Sequence, residues 1–583
     1  MAKNPNLLAR DHLAQPFIDQ YEKLKNSPER RSEENYWREI NKWILPYELT
    51  WDETLQVSTK KSVRRKKYVL DSTAPRALEL LASSLHGLLT PAATQWIKLG
   101  VDGQKTEDLS DEIQAYLEGL GTQILDYLSS DAVNLYSHLH VSYISLGSFG
   151  TSVLYIDDAV DPLLLKSFPI KDVVVDQNIH GIIDTVFRTE SITYRQAMQR
   201  WPKKDPEEIS PKLTHINNNM EINQEGFDLL HVVIPTSDIR FWERDTNFAA
   251  LTENQKKKLR HLRAVFKAGY IVLWINKSDK VVIDVGGQHV FPYIISRWYL
   301  TEKSALYGHS PGKNALPDTR MVNEMMQTTL RGAQKQADPP LILPQGTLIG
   351  QPSVWPGAIN YTDGSITPQP LVPTNAIRTD VAVNLIQLIQ ESIKSAFHSS
   401  LLQLPEFTDK TAYEVAHRVD EQNRNLTPMI LRIQEELIHP LIEKAYGILL
   451  VNGKLDTSDL PVDFDLASIV IEYENPIVKG HRRQEAAAIA RSVAELQPWT
   501  EYDASLLDNF DPDKVTRYIS RAYEVPHDIL RSDLEVKHIR KMRADAQAAQ
   551  AAQAQQIASA EAYKDVADAD KSKAQAQNLL AGQ

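Results

Sequence analysis

Hydrophobic positions along the chain change their period twice. Over residues 1–150 they recur at three- and four-residue spacing, the mark of amphipathic helices. In SPERRSEENYWREINKWILP, Ser27 is placed to cap a helix whose apolar face carries Tyr36, Ile40, Trp43 and Ile44. APRALELLASSLHGLLTP repeats the pattern with Leu78, Leu81, Leu85, Leu88 and Leu89, and DEIQAYLEGLGTQILDYLSS and LYSHLHVSYISLGSFG extend it. From about Thr151 to Trp298 the period becomes that of strands. SVLYID, LLLKSFPI, DVVVDQ, GIIDTVFRT, DLLHVVIP, AVFKAGYIVLWI and KVVIDVGG are short β-branched or aromatic runs broken by Gly, Pro and Asp. SITYRQAMQRWP interrupts them as a helix capped by Ser191 or Thr193, and residues 201–226 read as a polar surface loop.

Helices return after Pro317. DTRMVNEMMQTTLRGAQKQA predicts a helix over 318–337, about 30 Å long, with Pro317 at its first position, where a missing N–H costs nothing. Its apolar stripe is Met321, Val322, Met325, Met326, Leu330 and Ala333. Residues 339–375 hold eight prolines and cannot continue it. A second amphipathic helix follows, TNAIRTDVAVNLIQLIQESIKSAF, capped by Thr374 or Asn375, with Ile377, Val381, Leu385, Leu388, Ile389 and Ile393 on its stripe. HSSLLQLPEFTDK reads as a loop, and residues 411–450 as a long helix kinked or broken at Pro428 and Pro440. DLASIVIEYEN is strand-like, and helices resume from about His481 to Arg543. The last forty residues are Ala- and Gln-rich, a composition that suits either a disordered tail or a helix supported by identical neighbours. The fold class is α+β, predominantly helical, and 583 residues imply two to four structural regions.

Composition narrows the function classes. The absence of cysteine removes disulfides, thiolate metal sites and cysteine nucleophiles. No window resembles a membrane-spanning helix, and the N-terminus lacks the apolar core of a secretory signal. The formal charge is 64 − 76 = −12, which makes the chain a poor general gripper of nucleic acid. Lys60, Lys61, Arg64, Arg65, Lys66 and Lys67 form the one sharp basic run, read either as a contact to phosphates or an acidic partner or as a solvated loop.

Candidate catalytic chemistry is thin. Gly308-His309-Ser310-Pro311-Gly312 matches G-x-S-x-G formally, but the residue after the serine must donate its N–H to the oxyanion hole, and Pro311 has none. The same stretch lacks the spacing of a phosphate-binding loop, with Asn314 where a hydroxyl is needed after Lys313. His138 and His140, two apart, are a poor metal pair. Asp157, Asp158 and Asp161, or Glu472 and Glu474, fit solvated turns and strand edges better than a magnesium site. No enzymatic activity and no cofactor or metal is expected.

The segment YGHSPGKNALPDTRMVNEMMQTTLRGAQKQADPPLILP resembles the head-to-tail connector (portal) proteins of short-tailed, T7-like bacteriophages. LGSFGTSVLYID, AFHSSLLQL…TAYEVAHRVDEQ and LTPMILRIQEELIHPLIEKAYGILL resemble that family too, in its order, across residues 20–480. The resemblance implies a portal fold of wing, stem, clip and crown that assembles into a ring, of about twelve subunits, around a central channel. On it, 1–316 is the wing, 317–338 the first stem helix, 339–375 the clip and 376–397 the second stem helix. Residues 398–410 are the channel (tunnel) loop, 411–480 the return to the wing, 481–543 the crown, and 544–583 a tail that is a helical barrel or disordered. Ser399, Ser400, Leu402 and Gln403, with Arg331, Lys335 and Lys394, are then the candidates to meet double-stranded DNA, and Pro339, Pro340, Trp355 and Tyr361 to dock partners at the clip. The implied partners are the terminase large subunit, major capsid and scaffolding proteins, and tail adaptor and internal core proteins. The implied location is the capsid portal vertex of the virion, after assembly in the host cytoplasm. Two rival readings stand beside it: another virion component from the tail or internal core, without a channel, and a serine hydrolase using Ser310.

Overall fold

The computed structural model describes residues 14–46, 69–92, 94–101, 103, 109, 111–157, 163–205, 209–210, 226–238, 269–302, 305–337, 341–342, 369–370, 379–399, 427–455, 469–473, 476–496, 498, 510–523, 525, 529–531 and 533–580. The chain divides into two compact units, Met1–Asp102 with Leu117–Ile477, and Gly103–Tyr116 with Val478–Gln583. The fold is α+β and mostly helical.

The first unit opens with α1 (Ala14–Lys25), α2 (Pro28–Trp43) and α3 (Thr73–Leu89). Ser27 caps α2 by accepting the Arg30 N–H. The buried face of α2 differs from the predicted one: Trp37, Ile40 and Ile44 point inward with Arg30 and Asn41, whereas Tyr36 is 44% exposed. The physical reason is Arg30. Its guanidinium donates to the carbonyls of Val173 (2.8 Å), Ile170 (3.0 Å) and Lys171 (3.2 Å) and to the Tyr307 hydroxyl (3.0 Å), so a buried charge is satisfied and turns the helix with it.

After β1 (Ile97–Val101), α4 (Asp111–Ser129) and α5 (Leu135–Phe149) come the strands β2 (Thr151–Asp157), β3 (Leu164–Phe168), β4 (Val173–Gln177) and β5 (Ile183–Thr193). The short helix α6 (Tyr194–Arg200) follows, then β6 (Gly226–Pro235), β7 (Tyr270–Asn276), β8 (Val281–Gln288) and β9 (Tyr293–Arg297). Of the two proposed caps for α6, Thr193 is the one used, in a reciprocal box with Gln196. Strands β4 to β8 form a five-stranded antiparallel meander, and β3-β2-β9 a three-stranded sheet. Phe17, Ile18 and Tyr21 of α1 pack on one face of the meander, against Phe187, Leu230, Val232 and Leu273. The opposite face carries Arg188, His231 and Trp274 in direct cross-strand register. Arg188 lies 3.8 Å from the centre of the Phe168 ring and 5.3 Å from that of Tyr155, so the second sheet covers it. A strand covered on both faces reads as a near-continuous apolar run, and LLHVVI in β6 is one, interrupted only by the buried His231.

The remaining elements of this unit are α7 (Pro311–Ala337), the two-residue strands β10 (Leu341–Ile342) and β11 (Gln369–Pro370), and α8 (Thr379–Ala396). A helical stretch from residue 427 passes through a π-helical turn, Gln434–Ile438, into α9 (His439–Val451). Strand β12 (Ile469–Tyr473) pairs antiparallel with β1, and β10 with β11. The first residues of α10 (Pro476–Leu496) end this unit.

The second unit holds the rest of α10, α11 (Pro512–Ala522) and α12 (Asp533–Leu580). Asp511 caps α11 through the N–H groups of Asp513 and Lys514. The Arg540 guanidinium grips the Asp513 carboxylate with two hydrogen bonds, which ties α12 to the start of α11. The Ala/Gln tail is helical: α12 runs through it for 48 residues, about 72 Å.

Candidate functional site

The two long helices form the most distinctive part of the first unit. The α7 helix begins at Pro311, not at Asp318, and Pro317 lies inside it. The reason is local: the Ser310 hydroxyl accepts the Lys313 N–H at 2.9 Å, an N-cap that starts the helix two turns before Pro317. The serine of the G-x-S-x-G match is thus a helix cap, 2% exposed.

The first half of α7 buries Ala315, Leu316, Thr319, Val322 and Asn323. Asn323 accepts the N–H groups of Leu70 (2.8 Å) and Asp71 (3.1 Å) on its Oδ1 and donates to Thr319 O (2.7 Å). Asp71 in turn accepts from Gln390 on α8 (2.6 Å) and from the Thr73 N–H at the head of α3 (2.9 Å). Ser392 donates to Asp318 at 2.7 Å. These bonds fasten α7, α8 and the start of α3 at one level.

Beyond that seam both helices leave apolar side chains uncovered. Leu330 is 48% exposed on α7, and Val381, Leu385 and Leu388 are 45%, 46% and 68% exposed on α8. The last three stand at i, i+4 and i+7, a single face. In α8 and just after it the buried side is Ile386, Ile393 and Phe397, so among the described residues of the predicted stripe only Ile393 reaches the protomer's core, and Ile377 lies outside the described residues. An open groove along α8 is lined by Asn384, Gln387, Leu388, Gln390, Glu391 and Lys394.

At the foot of α8, His398 adopts a left-handed conformation with φ of 56°. Its ring stacks on Trp298, with centroids 6.5 Å apart and planes 24° apart, and burial lowers its pKa. Glu436, in the π-helical turn, accepts the Arg297 main-chain N–H at 2.8 Å and its guanidinium at 3.0 and 3.3 Å, and Arg432 adds a bond of 2.7 Å. Pro440 explains the turn. It has no N–H to offer the Glu436 carbonyl, and the His439 N–H reaches back five residues to Gln434 O.

Of the residues singled out from sequence, Arg331 is exposed, Lys335 belongs to α7, and Lys394 is exposed and paired with Glu391 at 2.7 Å. Ser399 is 2% exposed, so in the protomer it has no surface for a duplex to touch. Ser400, Leu402, Gln403, Pro339, Pro340, Trp355 and Tyr361 lie outside the described residues, as does the basic run Lys60–Lys67. His138 takes a long hydrogen bond of 3.4 Å from the Ser167 N–H, and the His140 ring lies 6.4 Å from that of His86 on α3. Asp157 accepts from the Tyr155 hydroxyl and from Gln288, while Asp158 and Asp161 lie outside the described residues. Glu472 stands in β12 opposite Lys98 of β1, and Glu474 lies outside the described residues.

Sequence reasoning missed Arg297, Trp298, Glu436, Asn323 and Gln390. The partners of Arg297 and Asn323 are 139 and 252 or more residues away, and no local spacing announces such pairs.

The family model described as bacteriophage head to tail connecting protein matches residues 14–530. The chain is 25% identical over 533 residues to the probable portal protein of Bordetella phage BPP-1, covering 89% of this chain and 90% of that one. It is 24% identical over 543 residues to the portal protein of Salmonella phage epsilon15, covering 92% of each.

Proposed function

The chain belongs to the bacteriophage head to tail connecting protein family and serves as a phage portal, and on that premise we propose that it works as a ring of about twelve copies at one capsid vertex. Portal proteins are capsid components of the virion, and no helix among the described residues is long and apolar enough to cross a membrane. In the proposed assembly α7 and α8 are the stem, residues 339–375 the clip, 398–410 the channel loop and 481–543 the crown. Double-stranded DNA passes through the stem during packaging and again during ejection. The clip docks the terminase large subunit first and the tail adaptor afterwards.

One observation carries this reading. Val381, Leu385 and Leu388 form an apolar face that the protomer leaves uncovered, directly beyond a polar seam that fixes how the two helices leave the body. A face of that kind is covered when a neighbouring copy packs against it, and a head-to-tail contact that closes makes a ring. The net charge of −12 fits a channel that DNA must slide through, because a wall rich in Lys and Arg would release counterions and hold the duplex. Arg331, Lys335 and Lys394 are the few cations proposed near that wall, and Lys394 is already neutralised by Glu391. Ser400, Leu402 and Gln403 are proposed to reach the duplex. Ser399, buried in the protomer, is proposed to root the loop.

Electron-microscopy class averages of the purified protein, paired with native mass, test this. Rings with a central hole are expected. A discrete dimer or trimer without a hole would overturn the reading.

A further inference from the structure

The end of strand β9 touches the chain on either side of the segment that links α8 to the returning helix: at His398, where the chain leaves α8, and at Glu436, inside the helical stretch that begins at residue 427. We propose that the consecutive residues Arg297 and Trp298 are positioning residues for the channel loop, holding the end of α8 that leads into it through His398 and the helix that follows it through Glu436. This rests on the portal reading above.

The dipeptide is itself fixed. Arg297 stands opposite Thr151 in the β2–β9 ladder, and the Trp298 N–H donates to Gly150 O at 2.9 Å. Trp298 is 4% exposed and Arg297 7%. Neither can swing without opening the corner where α5 turns into β2.

The end of α8 is held by an aromatic stack. Phe397 is fully buried, and the next residue, His398, is forced into the left-handed region that a histidine seldom adopts. Such a conformation persists only where the surroundings over-determine it, and it redirects the chain out of α8. The ring of Trp298 lies against that one residue.

The returning helix is held by charge. The Glu436 carboxylate takes three hydrogen bonds from Arg297 and one from Arg432, at 2.7–3.3 Å, in a setting where the Arg297 and Glu436 side chains are 8% and 18% exposed. Bidentate geometry fixes direction as well as distance. The π-helical turn places Glu436 for it, because the offset introduced by Pro440 rotates the residues before it relative to α9.

The end of α8 and the returning helix therefore meet adjacent residues of one strand end, by two unrelated chemistries. If the dipeptide served packing alone, its loss would change stability and nothing else.

Three variants of the full-length protein test the assignment in phage assembled with each: Glu436→Gln, Arg297→Lys and Trp298→Leu, with Trp298→Phe as the conservative partner. Ring formation and ring melting report folding. The fraction of DNA-filled heads and the length of DNA they retain report channel function. The expected result is that at least one variant forms rings that melt close to the parent yet fills heads several-fold less well, while Trp298→Phe restores filling. Rings that fill heads as the parent does would overturn the inference, and so would loss of ring assembly in all three. A Leu402→Ala, Gln403→Ala double variant separates the two claims. Unchanged filling there sinks the channel-loop reading itself, whereas altered filling with inert anchor variants sinks only the role of Arg297 and Trp298.

Discussion

Gly150 and Gly308 meet backbone to backbone. A Cβ built on either would overlap the carbonyl oxygen of the other, and Gly150 also ends α5 with a φ of +79°. Around them, the Gly308 N–H donates to Thr151 Oγ1 at 2.9 Å, and a Cβ on Gly312 would lie 2.8 Å from Ser148 O. The head of α7 is thus seated on the α5–β2 corner by close main-chain approach and the Thr151 hydroxyl. Gly150→Ala or Gly308→Ala adds left-handed strain, an overlap, or both, at about 3 kcal/mol or more. The expected outcome is a melting temperature lowered by many degrees or an insoluble protomer, whereas Gly87→Ala, inside α3 with open space around its Cβ, should melt no lower than the parent. Thermal melts of the three variants decide it, and a parent-like Gly308→Ala would refute the close approach.

Asn323 invites a second test. Its Oδ1 is the acceptor for two successive main-chain donors, Leu70 and Asp71, and the residue is 3% exposed. Asn323→Leu keeps the branched shape but leaves the Asp71 N–H buried and unpaired, at about 1–3 kcal/mol, and the partly buried Leu70 N–H without this acceptor. Asn323→Asp keeps the acceptor and should lie between Asn323→Leu and the parent. Urea midpoints with an unchanged slope would confirm a loss of stability. Equal midpoints for parent and Asn323→Leu would show that the seam does not hold α7 to α3.

Much of the fold was legible in local pattern, and what was missed has physical causes. The separate strands of the five-stranded meander showed themselves as short β-branched and aromatic runs, but their order in the sheet did not. The pair β1–β12 did not, since IKLGV is five residues long, sits among helices, and finds its partner more than 360 residues later. The short strand YIISR, an edge of the three-stranded sheet, escaped for a similar reason, and its last residue is Arg297. Helix α2 was found but rotated, because the acceptors that draw Arg30 inward, the carbonyls of Ile170, Lys171 and Val173 and the Tyr307 hydroxyl, lie far away in sequence. Proline at a predicted first position misled at Pro317, where a better cap at Ser310 started the helix earlier. For the site, the helix pair and its uncovered stripe were readable from periodicity. The anchors were not, since Glu436 looks like any helical glutamate until Arg297 is brought to it.

Lys444 predicts a pH dependence. It donates to Tyr293 O at 2.7 Å, and burial lowers its pKa from 10.5 to about 8. Below about pH 8 the lysine is charged in both folded and unfolded chains, and the full cost of burying the charge is present. Between about pH 8 and 10 the unfolded chain binds a proton that the folded chain does not, so stability rises with pH across that window. Lys444→Met removes the charge and one hydrogen bond worth about 1 kcal/mol, against a burial cost of at most about 3 kcal/mol. The variant is therefore expected to melt higher than the parent at pH 7 and to lose the rise between pH 8 and 10. Melts at pH 7, 8, 9 and 10 measure both. A variant that melts lower at pH 7, with the rise intact, would show that Lys444 is not the group responsible.

The long helix α12 carries the last prediction. From Lys541 to Gln577 every side chain is exposed, and its larger apolar residues, Met542, Ile557, Tyr563 and Val566, are 59–79% exposed. Nothing tertiary supports that span in the protomer, so it stands on the helix propensity of its alanines and glutamines. Without packing, helicity depends on length and temperature and falls with warming. Two outcomes follow. Deleting residues 544–583 should leave the main melting transition within about 0.5 kcal/mol of the parent. A peptide spanning 533–583 should be partly helical near 0 °C, lose most of its 222 nm ellipticity well before 37 °C, and regain it when concentrated only if copies pack on one another. A deletion that lowers the main transition by several degrees would mean that this surface, bare in the single chain, supports the fold after all.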